Sequence, residues 1–215
     1  MAAHGKLETR EYPVKLETRA GENGEGIVSG RPIVFGEVTN IGDMFYEVIE
    51  RGALDETDLS DVRLCLNHDT SYVYARAKRD NPKSTMRISA DANGAVIDAN
   101  LNIKGSPKAQ DFYSAAQRGD MDKMSFMFFV EEDRWTELDS DMPTRHITKI
   151  GSVAEVSMVT FAAYNDTSIT ARNAESLENA KRSLENAKKR AGSVETGQVD
   201  ELELEKAKTE IFKNI

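Results

Sequence analysis

A single cysteine, Cys65, is all the thiol chemistry in this chain. One cysteine closes no intramolecular disulfide and fills no multi-thiolate zinc site, so neither is expected to hold the fold together, and a reducing intracellular setting fits. Long apolar runs are also missing: the longest are a few residues, far short of the roughly 20 that a helix needs to cross a bilayer. Residues 1–20 carry Lys6, Glu8, Arg10, Glu11, Lys15, Glu17 and Arg19 without any apolar stretch like a secretory leader, so neither secretion nor membrane insertion is expected. Positive charge is in deficit, with 28 Lys and Arg against 37 Asp and Glu and a formal net charge of −9, which argues against general binding to a nucleic-acid backbone. There is no HExxH or CxxC arrangement. The glycines at Gly21, Gly24, Gly26 and Gly30 lack both phosphate-loop spacing and a Lys-Ser/Thr ending. No metal, nucleotide or organic cofactor is expected.

What is present reads as a β-rich body with a helical tail. At 215 residues and 39% hydrophobic content, the chain can bury one core of ordinary size and carry appendages. Lys-Leu-Glu-Thr-Arg occurs twice, at Lys6–Arg10 and Lys15–Arg19, too few copies for a repeat protein. Ile27–Ser29 and Ile33–Phe35 read as strands separated by Gly30-Arg31-Pro32, and Phe45–Ile49 reads as another. Val62–Leu66 is a short apolar strand running into Asn67-His68-Asp69. Thr85–Ser89 and Ala95–Leu101 alternate as paired strands, and the Asn93-Gly94 step between them suits a tight hairpin. Ser106 before Pro107 predicts a helix start, and Gly119 a helix stop after Arg118. Strands then return at Met124–Glu131, His146–Ile150 and Ala154–Phe161, implying a mixed or antiparallel sheet.

Composition changes after Arg172. Ser176-Leu177-Glu178-Asn179-Ala180-Lys181 recurs seven residues later as Ser183–Lys188, a helical period with Leu177, Ala180, Leu184 and Ala187 on one seam. A second helical segment holds Leu202, Leu204, Ala207, Ile211 and Phe212. The seam suits either dimerisation or packing on the chain's own body.

Three histidines limit the search for a proton acceptor: His4 in a charged arm, His68 where a strand meets a loop, and His146 inside an apparent strand. A histidine with an ordinary pKa of about 6.5 takes a hydroxyl proton and returns it near neutral pH. Ser125, among the apolar neighbours Met124 and Phe126, is the matching hydroxyl, since serine needs an adjacent base to become a nucleophile. From composition alone, a buried serine is usually only hydrogen-bonded and a lone histidine usually structural.

Several separated segments, in order, resemble the prohead proteases of tailed bacteriophages, a group within the broader herpesvirus-type assembly protease fold. They are Gly30-Arg31-Pro32-Ile33-Val34-Phe35-Gly36, Glu47–Leu54, Leu66-Asn67-His68-Asp69, Gly94–Ile97, Met124–Phe128, and Val153–Thr160 running into Ala162-Ala163-Tyr164. The pattern departs at Tyr72–Arg76, where a glycine commonly precedes the arginine, and at Phe161–Asn165, where prolines are usual.

The resemblance implies an α+β fold: a β-rich, herpesvirus-protease-like barrel or mixed sheet with flanking helices and a helical C-terminal tail. It divides the chain into a 1–25 arm, a 26–172 protease domain and a 173–215 tail that contacts scaffold or is self-cleaved. The implied function is a serine endopeptidase cleaving scaffold and capsid-protein segments, with His68 as general base and Ser125 as nucleophile. The acidic residue of the late strand, Glu155, is the expected third member, and His146 is its rival. Implied partners are the phage major capsid protein and a scaffold protein or segment, with homo-oligomerisation compatible. The expected location is the assembling prohead in the host cytoplasm, or the bacterial cytoplasm for a prophage gene. The alternative is a noncatalytic assembly protein retaining the protease fold.

Overall fold

The structure is a computed structural model and describes residues 7–160 and 175–192. Eleven strands and two helices follow in the order β1 (Leu7–Pro13), β2 (Glu17–Ala20), β3 (Gly26–Val34), β4 (Thr39–Ile41), β5 (Phe45–Ile49), β6 (Asp61–Leu66), β7 (Ala75–Lys78), β8 (Met86–Asp91), β9 (Gly94–Leu101), α1 (Pro107–Arg118), β10 (Lys123–Thr136), β11 (Thr144–Val159) and α2 (175–192).

The first helix arises from local chemistry, and the hairpin from a tight turn together with the close approach of β3. The β8–β9 turn closes with Asp91 opposite Gly94. Gly94 has φ +136°, and a Cβ there would stand 1.9 Å from the Ile33 carbonyl oxygen, so the close approach of β3 admits no side chain. At α1 the Ser106 hydroxyl accepts from the Ala109 amide, and Gly119 closes the helix in the left-handed region at φ +75°. A serine cap of this kind stabilises a helix by about 1 kcal/mol.

The strands form two open sheets. One has seven strands in the order β1-β10-β11-β5-β4, with β6 also on β11 and β7 on β6; the other is β2-β3-β9-β8. Of the expected barrel or mixed sheet, the barrel is corrected, since among the described residues the sheets do not close, while the seven-stranded sheet is mixed. Closure is not needed to hide the apolar faces, because the sheets cover one another. Val28, Ile33, Ile97 and Leu101 share one core with Phe126, Phe128, Ile147 and Val156, and Phe112 of α1 joins them. Each such side chain contributes about 1.5–3 kcal/mol when fully buried.

β11 organises the site. Its 16 residues span about 50 Å at roughly 3.3 Å per residue, enough for two strands to pair end to end along one edge. β5 pairs with Thr144–Ile147 and β6 with Glu155–Met158, both in parallel, while β10 runs antiparallel along the other edge. Four register shifts interrupt the β10–β11 ladder; such bulges bend long strands.

The first 25 residues contribute β1 and β2 to the two sheets. β1 brings Glu8 and Arg10 into a buried ionic cluster. Arg10 donates to Glu47 and Glu8 at 2.7 and 2.6 Å. Arg145 donates to Glu8 at 2.8 and 3.0 Å, to Glu47 at 3.1 Å and to Asp133 at 2.7 Å. α2 joins through Ser176, which accepts from Arg10 Nη1, and through Ser183, which donates to Asp133. The seam predicted for the tail packs on the chain's own body: Ala180 is fully buried against Ile41 and Phe45, with Leu177, Leu184 and Trp135 around it. The second tail segment, 202–212, lies outside the described residues, as does Phe161 at the expected end of the last strand. No described helix is long and apolar enough to cross a membrane.

Candidate active site

The site is assembled by strand register. In the β10–β11 pair Ser125 lies opposite Ser157, and Met127 opposite Glu155. Side chains two residues apart share a face of a strand, so Ser125, Ser157 and Glu155 project on one side. On the far edge of β11, β6 pairs Cys65 with Ser157 and Leu66 with Met158. His68 follows two residues beyond the end of β6.

The turn that aims His68 is unusual. Asn67 and His68 both take positive φ, at 50° and 60°, a conformation that costs non-glycine residues and persists only where the surroundings hold it. Here β11 holds it. The Asn67 amide donates to the Met158 carbonyl at 2.9 Å, and Asn67 Oδ1 accepts from the Thr160 amide at 2.9 Å. The His68 amide donates to Ser157 Oγ at 3.1 Å.

His68 Nδ1 contacts Glu155 Oε1, and Nε2 stands 2.8 Å from Ser125 Oγ. A proton on Nδ1 satisfies the carboxylate and leaves the Nε2 lone pair facing the hydroxyl. Glu155 Oε2 accepts from Ser157 Oγ at 2.7 Å. The Ser125 hydroxyl has a second acceptor, the Arg10 carbonyl of β1, at 2.8 Å. Ser125 is 1% exposed and the Glu155 side chain 3%, whereas the His68 ring is 12% exposed, so the imidazole is the edge of the array nearest solvent.

Cys65 is the other potential nucleophile nearby. Burial first, and then the Glu155 charge, push its thiol up to about 12, which keeps it protonated at neutral pH and unreactive. Beside the His68 loop, a cleft of about 710 Å³ lies between residues 66–74 and α1. Tyr72, Tyr74, Phe112 and Met121 wall it, with Lys108 and Arg118 at the helix side.

The three side chains singled out in the sequence, His68, Ser125 and Glu155, thus stand together. His146 does not join them. It sits toward the opposite end of β11, across from Arg134, where its ring meets Glu50 Oε1 at 2.7 Å and Thr136 Oγ1 at 3.1 Å. Sequence reasoning passed over Ser157 and the Arg10 carbonyl. The signal for Ser157 was available, since it lies two residues past Glu155 and shares its face. A backbone carbonyl leaves no such mark.

No curated protein and no solved structure matches the chain. A family model does: the one described as caudovirus prohead serine protease matches residues 12–183, a span that takes in His68, Ser125 and Glu155 and reaches into α2. With most of its length matched, the chain belongs to the caudovirus prohead serine protease family.

Proposed function

We propose that the chain is a serine endopeptidase that cleaves scaffold and capsid-protein segments during prohead maturation, with Ser125 as nucleophile, His68 as general base and Glu155 as the group that orients the imidazole. The observation that carries this is the continuous contact chain from Glu155 through His68 to Ser125 Oγ. With Nδ1 bonded to the carboxylate, Nε2 takes the hydroxyl proton as Oγ attacks the peptide carbonyl. The imidazolium, stabilised by Glu155, then protonates the departing amine. Water hydrolyses the acyl-enzyme by the same exchange in reverse. Attack requires the hydroxyl proton to point to His68 rather than to the Arg10 carbonyl.

The cleft beside the His68 loop is the surface on which a peptide would lie. The order His68, Ser125, then an orienting group on the following strand supports kinship with the herpesvirus-type assembly protease fold. On this reading the 26–172 domain carries the chemistry. The 1–25 arm lends β1 and β2 to the two sheets and the tail lends α2 to the body, and the 173–215 tail contacts scaffold or is removed by self-cleavage. The enzyme acts inside the assembling prohead in the host cytoplasm, where confinement raises its concentration and favours any active oligomer by mass action.

A noncatalytic assembly protein with the same fold is the second reading. It is favoured by the 1% exposure of Ser125 and its bond to Arg10. Incubating wild type and Ser125→Ala with the cognate capsid and scaffold proteins, followed by intact-mass analysis, separates the two. Cleavage by wild type alone supports the protease. Equal cleavage by both rejects Ser125 as nucleophile, and a wild type that neither cleaves nor reacts with a hydroxyl-directed probe supports the assembly protein.

A further inference from the structure

A carboxylate that orients a histidine must itself be held, and so must the histidine backbone. Both tasks fall on one hydroxyl here. Ser157 is fully buried, so no water replaces it. Its hydroxyl has one proton and lone pairs to accept with. The proton goes to Glu155 Oε2 at 2.7 Å, and a lone pair receives the His68 amide at 3.1 Å.

Resting on the triad reading above, we propose that Ser157 is a positioning residue of the site: one buried hydroxyl fixes both the Glu155 carboxylate and the His68 main chain. The second contact matters because His68 sits at φ +60°, where a non-glycine backbone needs an external partner to persist. The first contact occupies the carboxylate oxygen that does not face the imidazole, so Oε1 stays directed at Nδ1. β11 supplies Glu155 and Ser157, β6 leads into His68, and β10 supplies Ser125 directly opposite Ser157. A shift of Ser157 is therefore felt by every member of the array. The carboxylate also faces the Cys65 thiol, and Arg63 lies opposite Glu155 in the β6–β11 register.

The test uses a fluorophosphonate, which reacts with an activated serine hydroxyl and needs no knowledge of the natural cleavage sequence. Full-length wild type, Ser125→Ala, Ser157→Ala and Ser157→Cys are compared, with folding checked by thermal melts and the modified residue mapped by mass spectrometry. The maximal labelling rate of Ser125 should fall about 10- to 100-fold in Ser157→Ala, the scale expected when a reacting group is misplaced by about an ångström, while half-saturating probe concentration changes little. The acid limb of the rate profile should also shift, because the donor set and placement of the carboxylate facing the imidazole have changed. A merely structural serine would not move that limb. Ser157→Cys keeps the shape with a somewhat larger atom and supplies only a weak donor, so it should also be slow; it carries the test if Ser157→Ala does not fold. Wild-type rate and profile in either folded variant overturns the positioning role and leaves the triad standing. Absence of Ser125 labelling in wild type overturns the triad reading and this inference with it.

Discussion

Two buried polar groups occupy the seven-stranded sheet, and they are built from different chemistry. The ionic cluster sets Glu8, Glu47 and Asp133 against Arg10 and Arg145. Arginine stays charged throughout the ordinary pH range, so these carboxylates face permanent counter-charges and the cluster has no reason to exchange protons. Burial opposes ionisation of Glu8, but the charges of Arg10 and Arg145 outweigh it and hold the carboxyl below its ordinary value of 4.5. In the candidate site, a single carboxylate faces a histidine, the one side chain whose charge changes near neutrality without perturbation. The first group ties strands together; in the proposed mechanism the second moves a proton. Burial alone does not distinguish an active site from a structural one, whereas the titration range of the cation does.

The largest expected effect comes from removing the charge behind His68. Glu155→Gln should lower the cleavage rate by about 10³- to 10⁴-fold, the scale seen when an orienting carboxylate is lost, with a melting temperature near that of wild type. His146→Ala, at the far end of β11, should stay within a few-fold. A reversed ranking in a paired rate measurement would make His146 the third member.

Next in size is the ionic cluster. Arg145→Met should destabilise the fold by about 3–5 kcal/mol by leaving buried carboxylates unmatched, with the rate per folded molecule retained; denaturant melts and titrated active-site counts read both. The same cluster makes stability acid-sensitive. A carboxyl depressed on folding contributes stability above its unfolded-state value and loses it as pH falls through the lower folded value. The wild type should therefore lose stability progressively below about pH 4.5, and Glu8→Gln should flatten that loss while lowering stability at neutral pH. A Glu8→Gln melt with the wild-type pH slope would remove Glu8 as its source.

The smallest effect belongs to the seam of α2. Leu184→Ala should cost about 1–2 kcal/mol, less than a fully buried leucine, because Leu184 only partly covers the Ile41–Phe45–Ala180 cluster. Its cleavage rate should be unchanged. A loss of rate would tie the tail to the chemistry, and the contact of Ser176 with Arg10 is the route to examine first.

Much of the body was legible where the chain's own chemistry dictates geometry: a hairpin was expected at Asp91–Gly94, although its loop is Ala92-Asn93 and Gly94 already opens β9, and Ser106, Pro107 and Gly119 bounded α1. His68 and Ser125 were legible because histidines are few and the resemblance singled out both. Other features depend on distant partners. β3 runs continuously through Gly30-Arg31-Pro32, with a register shift between Gly30 and Ile33, although glycine and proline read locally as a break. β1 falls in the charged 1–25 arm, whose charges signal exposure; partners far along the chain, Glu47, Arg145 and Ser176, account for their burial. β10 runs on past Glu131 to Thr136, and the two strands expected at His146–Ile150 and Ala154–Phe161 are one strand, Thr144–Val159, since bulges blur the alternation by which strands are recognised.

The parallel pairing of β6 with β11 also sets a clock. His68 and Glu155 are separated by 87 residues, and contacts between such distant segments form later than local ones because the loop between them must close first. The β8–β9 hairpin can assemble as soon as it is made, while the proton path waits for the last strand of the sheet. A chain still being synthesised, or cut short before Glu155, holds both Ser125 and His68 with nothing to align them. On the proposed mechanism, hydrolysis would begin only after the body has finished folding, a delay written into the topology.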